Sequence, residues 1–201
     1  MEMNKTNYSL SEELINSISH GIGALLGIAA LVLSVVFSNK PISIVSSSIY
    51  GCFLIILYTT SCLYHSFSPR LGVKKVFRVL DHDSIYLLIF ATYMPYLLVA
   101  LGGIKGWVLW GILLVLTIIG IVLNSVNLEK FKNISLISYI LMGWIVIFSF
   151  KDIYTAIGYK GTLFLLLGGI LYTIGAVFYS IGKKVKYMHC LFHLLVLAGS
   201  I

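Results

Sequence analysis

Residues 107–124 read WVLWGILLVLTIIGIVLN, 18 consecutive positions without a charged side chain. A bilayer core of ~30 Å needs about 20 apolar residues in helical form, so this run predicts a transmembrane helix. Comparable runs recur on both sides of it. They predict spans over residues 15–37, 42–65, 81–101, 134–150, 162–181 and from 187 onward. The expected fold is therefore all-α: a seven-transmembrane-helix bundle forming one membrane domain over residues 1–201, with a polar N-terminal segment over 1–12. Within these spans, Pro95 predicts a kink, and Gly23 and Gly27 form a small face for close helix packing.

Composition agrees with that class. The chain of 201 residues is 59% hydrophobic and only 10% charged, with a mean hydropathy of +1.01. No soluble globular domain has such a balance. The net charge of +7 is scattered over short loops, which suits a membrane protein better than a nucleic-acid binder. The first apolar run comes too late and is too rich in glycine for a cleaved signal peptide, and no small-residue cleavage site with a basic leader precedes it. Cys52, Cys62 and Cys190, an odd number placed in or beside apolar spans, argue against a disulfide framework.

The basic residues orient the bundle. Ten of the 14 fall in the N-terminal segment and in loops 2, 4 and 6; Lys40, Lys105, Lys151 and Lys160 fall in loops 1, 3 and 5. The excess of Lys and Arg on cytoplasmic loops predicts the N-terminus inside and the C-terminus outside. His20, His65, His82, His189 and His193, all five histidines, then lie in the inner leaflet. Interfacial histidines scattered without function would divide between the two sides. The last span is short: from residue 187 to 201 is ~22 Å of helix. It reads either as a chain cut short or as a helix that stops within the membrane.

His189-Cys190-Leu191-Phe192-His193 places two imidazoles one helical turn apart on one face, a spacing that lets both reach a single metal ion. His65 comes to the same level at the end of the second span. Three histidines with an open fourth position form the pattern of a catalytic zinc site. Water would fill that position, its pKa lowered by the metal. Asp81, at the head of the third span, is the candidate base, and Ser61, one turn before His65, the candidate group that orients water or a substrate carbonyl. Each has a plainer reading. For Ser61 it is a hydrogen bond to its own i−4 carbonyl in the helix, and for Asp81 a helix N-cap beside Arg78. Cys62 is a weaker ligand candidate, and Cys190 reads as packing. His82 and Asp83 are expected to face the loop or interface. Glu13, Asn16 and His20, spaced i, i+3, i+7, are expected to form a helix-packing hydrogen-bond network.

These motifs resemble those of the hemolysin III / progestin and adipoQ receptor family, in its bacterial hemolysin III branch. The likeness is carried by Ser61-x-x-x-His65, Asp81-His82-x-Ser84-Ile85-Tyr86, Thr92-Tyr93-x-Pro95 and His189-x-x-x-His193. Glu13-x-x-Asn16-x-x-x-His20 and the pattern from Gly168 to Tyr179 support it. The resemblance implies seven helices with a cytoplasmic N-terminus. It also implies Zn2+ held by His65, His189 and His193, with Asp81 and Ser61 near a zinc-bound water. It places the chain near a wider group proposed as membrane hydrolases, alkaline ceramidases included. The expected protein is a multi-pass protein of the cell membrane, its surroundings and possible substrate being membrane lipid. The first function expected is hydrolysis of a lipid amide or ester from the inner leaflet. The alternative is a non-enzymatic, pore-forming hemolysin or a regulator of membrane state, with a structural zinc. A retinal protein is excluded because Lys183, Lys184 and Lys186 precede the last span, and no repeated halves point to a secondary transporter.

Overall fold

A computed structural model describes residues 8–182 and 184–201. Residues 1–7 of the polar segment, with Lys5, and Lys183 of the sixth loop lie outside the described residues. The chain is an all-α bundle of α1 (Leu10–Val36), α2 (Pro41–Ser66), α3 (Val73–Met94), α4 (Gly103–Gly143), α5 (Phe150–Ile181) and α6 (Met188–Ser200). Each of the seven expected spans falls largely on helix.

Local chemistry sets the boundaries. Ser9 caps α1: its hydroxyl accepts from the Glu12 amide, and the Glu12 carboxylate accepts from the Ser9 amide at 2.9 Å. Pro41 opens α2, where its missing N–H is not needed. α3 starts at Val73, eight residues before the expected span, because Lys74, Lys75 and Arg78 are good helix formers and extend it beyond the apolar stretch. At Pro95 the α-helix ends and a wider π-helical turn, Pro95–Leu101, carries the chain on to Gly102. α4 is one 41-residue element broken at Asn127, whose backbone is extended (φ −161°, ψ 89°). The Asn127 side chain then accepts from the Lys130 amide at 3.0 Å and caps the second half. Gly158, with φ of 70°, breaks α5 in the same manner. The fourth and sixth expected spans thus lie within elements longer than predicted, broken at an asparagine and a glycine rather than by open loops, while the fifth runs from α4 through a short 3-10 helix, Ile145–Ser149, to the start of α5.

The surface is turned inside out relative to a soluble protein. Leu25, Val36, Leu141 and Phe164 are each at least 68% exposed, whereas Glu12, Glu13, Asn16, His20, His65 and His193 are buried. Such a distribution fits a solvent of lipid, with polar groups gathered where they can partner one another. Among the described residues, four helical stretches are long and apolar enough to cross a bilayer; the longest, Gly103–Ile181, has 79 residues and so room for more than one crossing.

α1 and α2 pack through the small face expected of Gly23 and Gly27. A Cβ on Gly23 would meet the Tyr58 ring at 2.6 Å, and one on Gly27 would meet Ile55 at 3.2 Å. That close approach fixes the register in which α1 offers Glu13, Asn16 and His20 to α2. α6 is wedged against α5 and α1, which sets its first two turns beside the end of α2.

Candidate metal centre

His65 occupies the last turn of α2; His189 and His193 occupy the first two turns of α6. All three are buried, 3%, 5% and 1% exposed respectively. One ring nitrogen from each lies within 4.8 Å of the others. Nε2 of His193 stands 3.1 Å from Nε2 of His189. Two nitrogen ligands of one tetrahedral ion, each bonded at ~2.0–2.1 Å, stand about 3.3 Å apart. The α6 pair therefore has the spacing of a shared ion's ligands. Nδ1 of His65 meets Glu13 Oε2 at 2.5 Å, and its Nε2 is buried without a hydrogen-bond partner among the described residues. The donor set fits a metal ion, and this triad can hold one.

The start of α6 is held by α1. Tyr187 takes the left-handed conformation (φ 63°) and its amide donates to Glu12 Oε1 at 2.8 Å. Cys190 packs at the same contact, its thiol 3.7 Å from the Glu12 carbonyl oxygen. Tyr8 stacks on His189 with ring centroids 4.5 Å apart. Burial pushes the Tyr8 phenol well above its ordinary range, so it remains a neutral hydroxyl over the histidines.

A cavity of about 600 Å³ reaches the centre. Its lining includes the polar residues His20, Ser61, Asp81, His82 and His189 and apolar residues such as Leu88, Leu136, Phe164 and Leu171. Ser61 Oγ is buried and has no hydrogen-bond partner among the described residues, so it does not bond its own i−4 carbonyl. Asp81 lies two turns inside α3 and cannot be its N-cap. Its carboxylate, 17% exposed, lies 3.8 Å from His82 Nδ1. Ser61, Asp81 and His189 thus line the same cavity.

Other expectations change. His82 and Asp83 face the bundle, not the loop: His82 Nε2 meets the Tyr179 hydroxyl at 3.2 Å, and Asp83 accepts from Ser125 at 3.1 Å. The Cys62 thiol turns to Ser17 at 3.5 Å, away from the ligand role considered for it. All three cysteines are free thiols. Glu13, Asn16 and His20 share a face without bonding one another. Glu13 pairs with His65 and Lys74. The His20 ring packs 3.9 Å from that of His193, centroid to centroid. The amide of Asn16 and both ring nitrogens of His20 are buried without hydrogen-bond partners among the described residues. The Glu13–His65 contact is the functional feature that sequence reasoning missed. Its signal was present in the i, i+7 spacing of Glu13 and His20, which puts the carboxylate on the face that carries a histidine.

Comparison with known proteins follows the same motifs. Residues 8–201 match the model of the family described as haemolysin-III related. The chain is 39% identical to "Hemolysin-3" of Bacillus cereus, over 99% of this chain and 91% of the relative. It is 39% identical to the "Hemolysin-3 homolog" of Bacillus subtilis (strain 168), over 96% and 91%. The human "Monocyte to macrophage differentiation factor" is 29% identical over 76% of this chain and 64% of its own length. With its lipid-facing apolar surface and its buried histidine cluster, the chain is a multi-pass integral membrane protein that belongs to the haemolysin-III related family.

Proposed function

We propose that the protein is a zinc-dependent hydrolase of a lipid amide or ester, working from the inner leaflet. In this reading residues 1–201 form one domain of seven spans with the N-terminus in the cytoplasm. The observation that carries the proposal is a buried triad, His65, His189 and His193, whose His189 lines the same largely apolar cavity as Ser61 and Asp81. Imidazole ligands suit zinc. Bound there, the ion supplies Lewis acidity and a water acidified towards neutral pH. The protein's own groups do the remainder. Asp81 takes the proton from the attacking water and returns it to the leaving amine or alkoxide. Ser61 Oγ, which has no competing hydrogen bond among the described residues, donates to the carbonyl oxygen of the substrate. Leu88, Leu136 and Phe164 accept an acyl chain and exclude bulk water.

Elemental analysis of purified wild type and of a His65→Ala/His189→Ala/His193→Ala variant is the first test. About one zinc per chain, lost in the variant, is expected. Zinc-loaded wild type in mixed micelles should then release fatty acid from a lipid amide or ester, and His193→Ala should not. A folded wild type without metal, or a zinc-loaded one that turns over neither lipid class, overturns the proposal.

A second reading, membrane lysis with a structural zinc, is favoured by the name of the Bacillus cereus relative. Liposome leakage that persists in the triple alanine variant selects this reading.

A further inference from the structure

We infer that Glu13 is a positioning residue for the metal centre: paired with Lys74, it holds His65 with Nδ1 toward the carboxylate and Nε2 toward the ion. The inference rests on the metal reading above and adds what sets the affinity of the site.

The geometry is direct. Glu13 Oε2 lies 2.5 Å from His65 Nδ1, and Glu13 Oε1 lies 2.8 Å from Lys74 Nζ. The His65 side chain is fully buried, and those of Lys74 and Glu13 are 5% and 10% exposed. A carboxylate only accepts, so the imidazole proton sits on Nδ1 and the lone pair on Nε2. His65 Nε2 is the atom left buried without a partner among the described residues. A carboxylate on the far nitrogen of a metal-binding histidine fixes its ring and raises its basicity as a ligand.

Lys74 explains how the carboxylate can be there. A single charge at this depth is costly to desolvate, and a close counter-charge with satisfied hydrogen bonds offsets that cost. Lys74 Nζ bonds Glu13, donates to the Phe67 carbonyl at 2.9 Å and lies 5.0 Å from the centre of the Tyr64 ring. It reaches this position because α3 begins at Val73, one residue before it. Each oxygen of Glu13 thus has one task, Oε2 on the ligand and Oε1 on the counter-ion. A plain strut between α1 and α3 would use the Lys74 bond alone and would not aim the second oxygen at a ring whose other nitrogen faces two histidines.

The test uses the full chain in detergent micelles, stripped of metal and titrated with Zn2+ against a chromophoric chelator. Glu13→Gln is expected to bind zinc about 10–100-fold more weakly than wild type. Because a lone Lys74 could unfold the single variant, the second form is Glu13→Met/Lys74→Met. Replacing both members of a buried pair by apolar groups is often neutral for stability. This variant still leaves the buried His65 Nδ1–H without its acceptor, so it should fold with an unfolding temperature somewhat below that of metal-free wild type and show the same loss of affinity. In metal-free wild type, nitrogen-15 histidine spectra should show His65 protonated on Nδ1. A folded double variant with wild-type zinc affinity, or a His65 protonated on Nε2, overturns the inference and leaves the metal reading standing. A wild type that binds no zinc overturns both, so the two failures are distinct.

Discussion

Replacing Gly23 with alanine should loosen the contact that aligns α1 with α2. The added Cβ would lie 2.6, 2.8 and 2.9 Å from three carbons of the Tyr58 ring. Ordinary carbon contacts lie near 3.5–4.0 Å, so the shortfall is about 1 Å. The ring cannot swing away. Its hydroxyl bonds Ser200 Oγ at 2.7 Å and the Val196 carbonyl at 3.3 Å, and His20 sits edge-on against it with centroids 4.9 Å apart. α1 must therefore retreat. Overpacking of this kind costs ~1–3 kcal/mol. Gly111 is the internal control: a Cβ there meets nothing within 4 Å, so Gly111→Ala should gain roughly 0.5–1 kcal/mol from helix propensity alone. Gly23→Ala gains the same propensity, so equilibrium unfolding of both variants in mixed micelles should differ by the overpacking cost alone, about 1–3 kcal/mol. Equal stability of Gly23→Ala and Gly111→Ala would refute the claim that close packing on Tyr58 sets the α1–α2 register.

Three further outcomes concern the centre itself. Asp81→Asn should retain its metal and lower lipid turnover by roughly 10²–10⁴-fold, the usual contribution of a positioned acid–base group; unchanged turnover in single-turnover assays removes Asp81 from the chemistry. Ser61→Ala should fold as wild type does, because its hydroxyl has no hydrogen bond to lose among the described residues, and should slow turnover by about 10²-fold or more. A loss of stability with no change in rate would instead make Ser61 a packing residue. On the proposed metal reading, stripping the metal with a chelator should lower the unfolding temperature, and excess zinc should restore it, since an ion held by the triad would join α2 and α6 only in the folded chain. An unfolding temperature indifferent to both treatments would count against that link.

The meeting of His65, His189 and His193 was legible because two independent patterns agreed. The i, i+4 spacing of His189 and His193 is local, and the distribution of Lys and Arg brings His65 to the same depth. The fold class was legible from apolar run length, which the bilayer fixes. What hydropathy could not show was the start of α3: Lys74 is charged, yet it lies inside the bundle because a carboxylate on another helix waits for it. Nor could spacing tell that Glu13 meets His65 rather than its own face-mates Asn16 and His20, because that depends on the register of α1 against α2. The inward turn of His82 and Asp83 depends likewise on partners, Tyr179 and Ser125, that are distant in sequence. The division of α4 at Asn127 passed unseen because one extended residue in a helical pattern leaves no change in hydropathy.

The adjacent acids Glu12 and Glu13 act on different parts of the chain. The first holds the amide that starts α6, and the second holds the histidine that ends α2. The first turn of the first helix is thus a clasp that closes only after the last helix has been made. During synthesis, a chain inserted as far as α5 has His65 but neither His189 nor His193, and Glu12 has no Tyr187 to hold. Under the proposed metal reading, capture of an ion must therefore follow the synthesis of α6 and would report that α1, α2 and α6 have met.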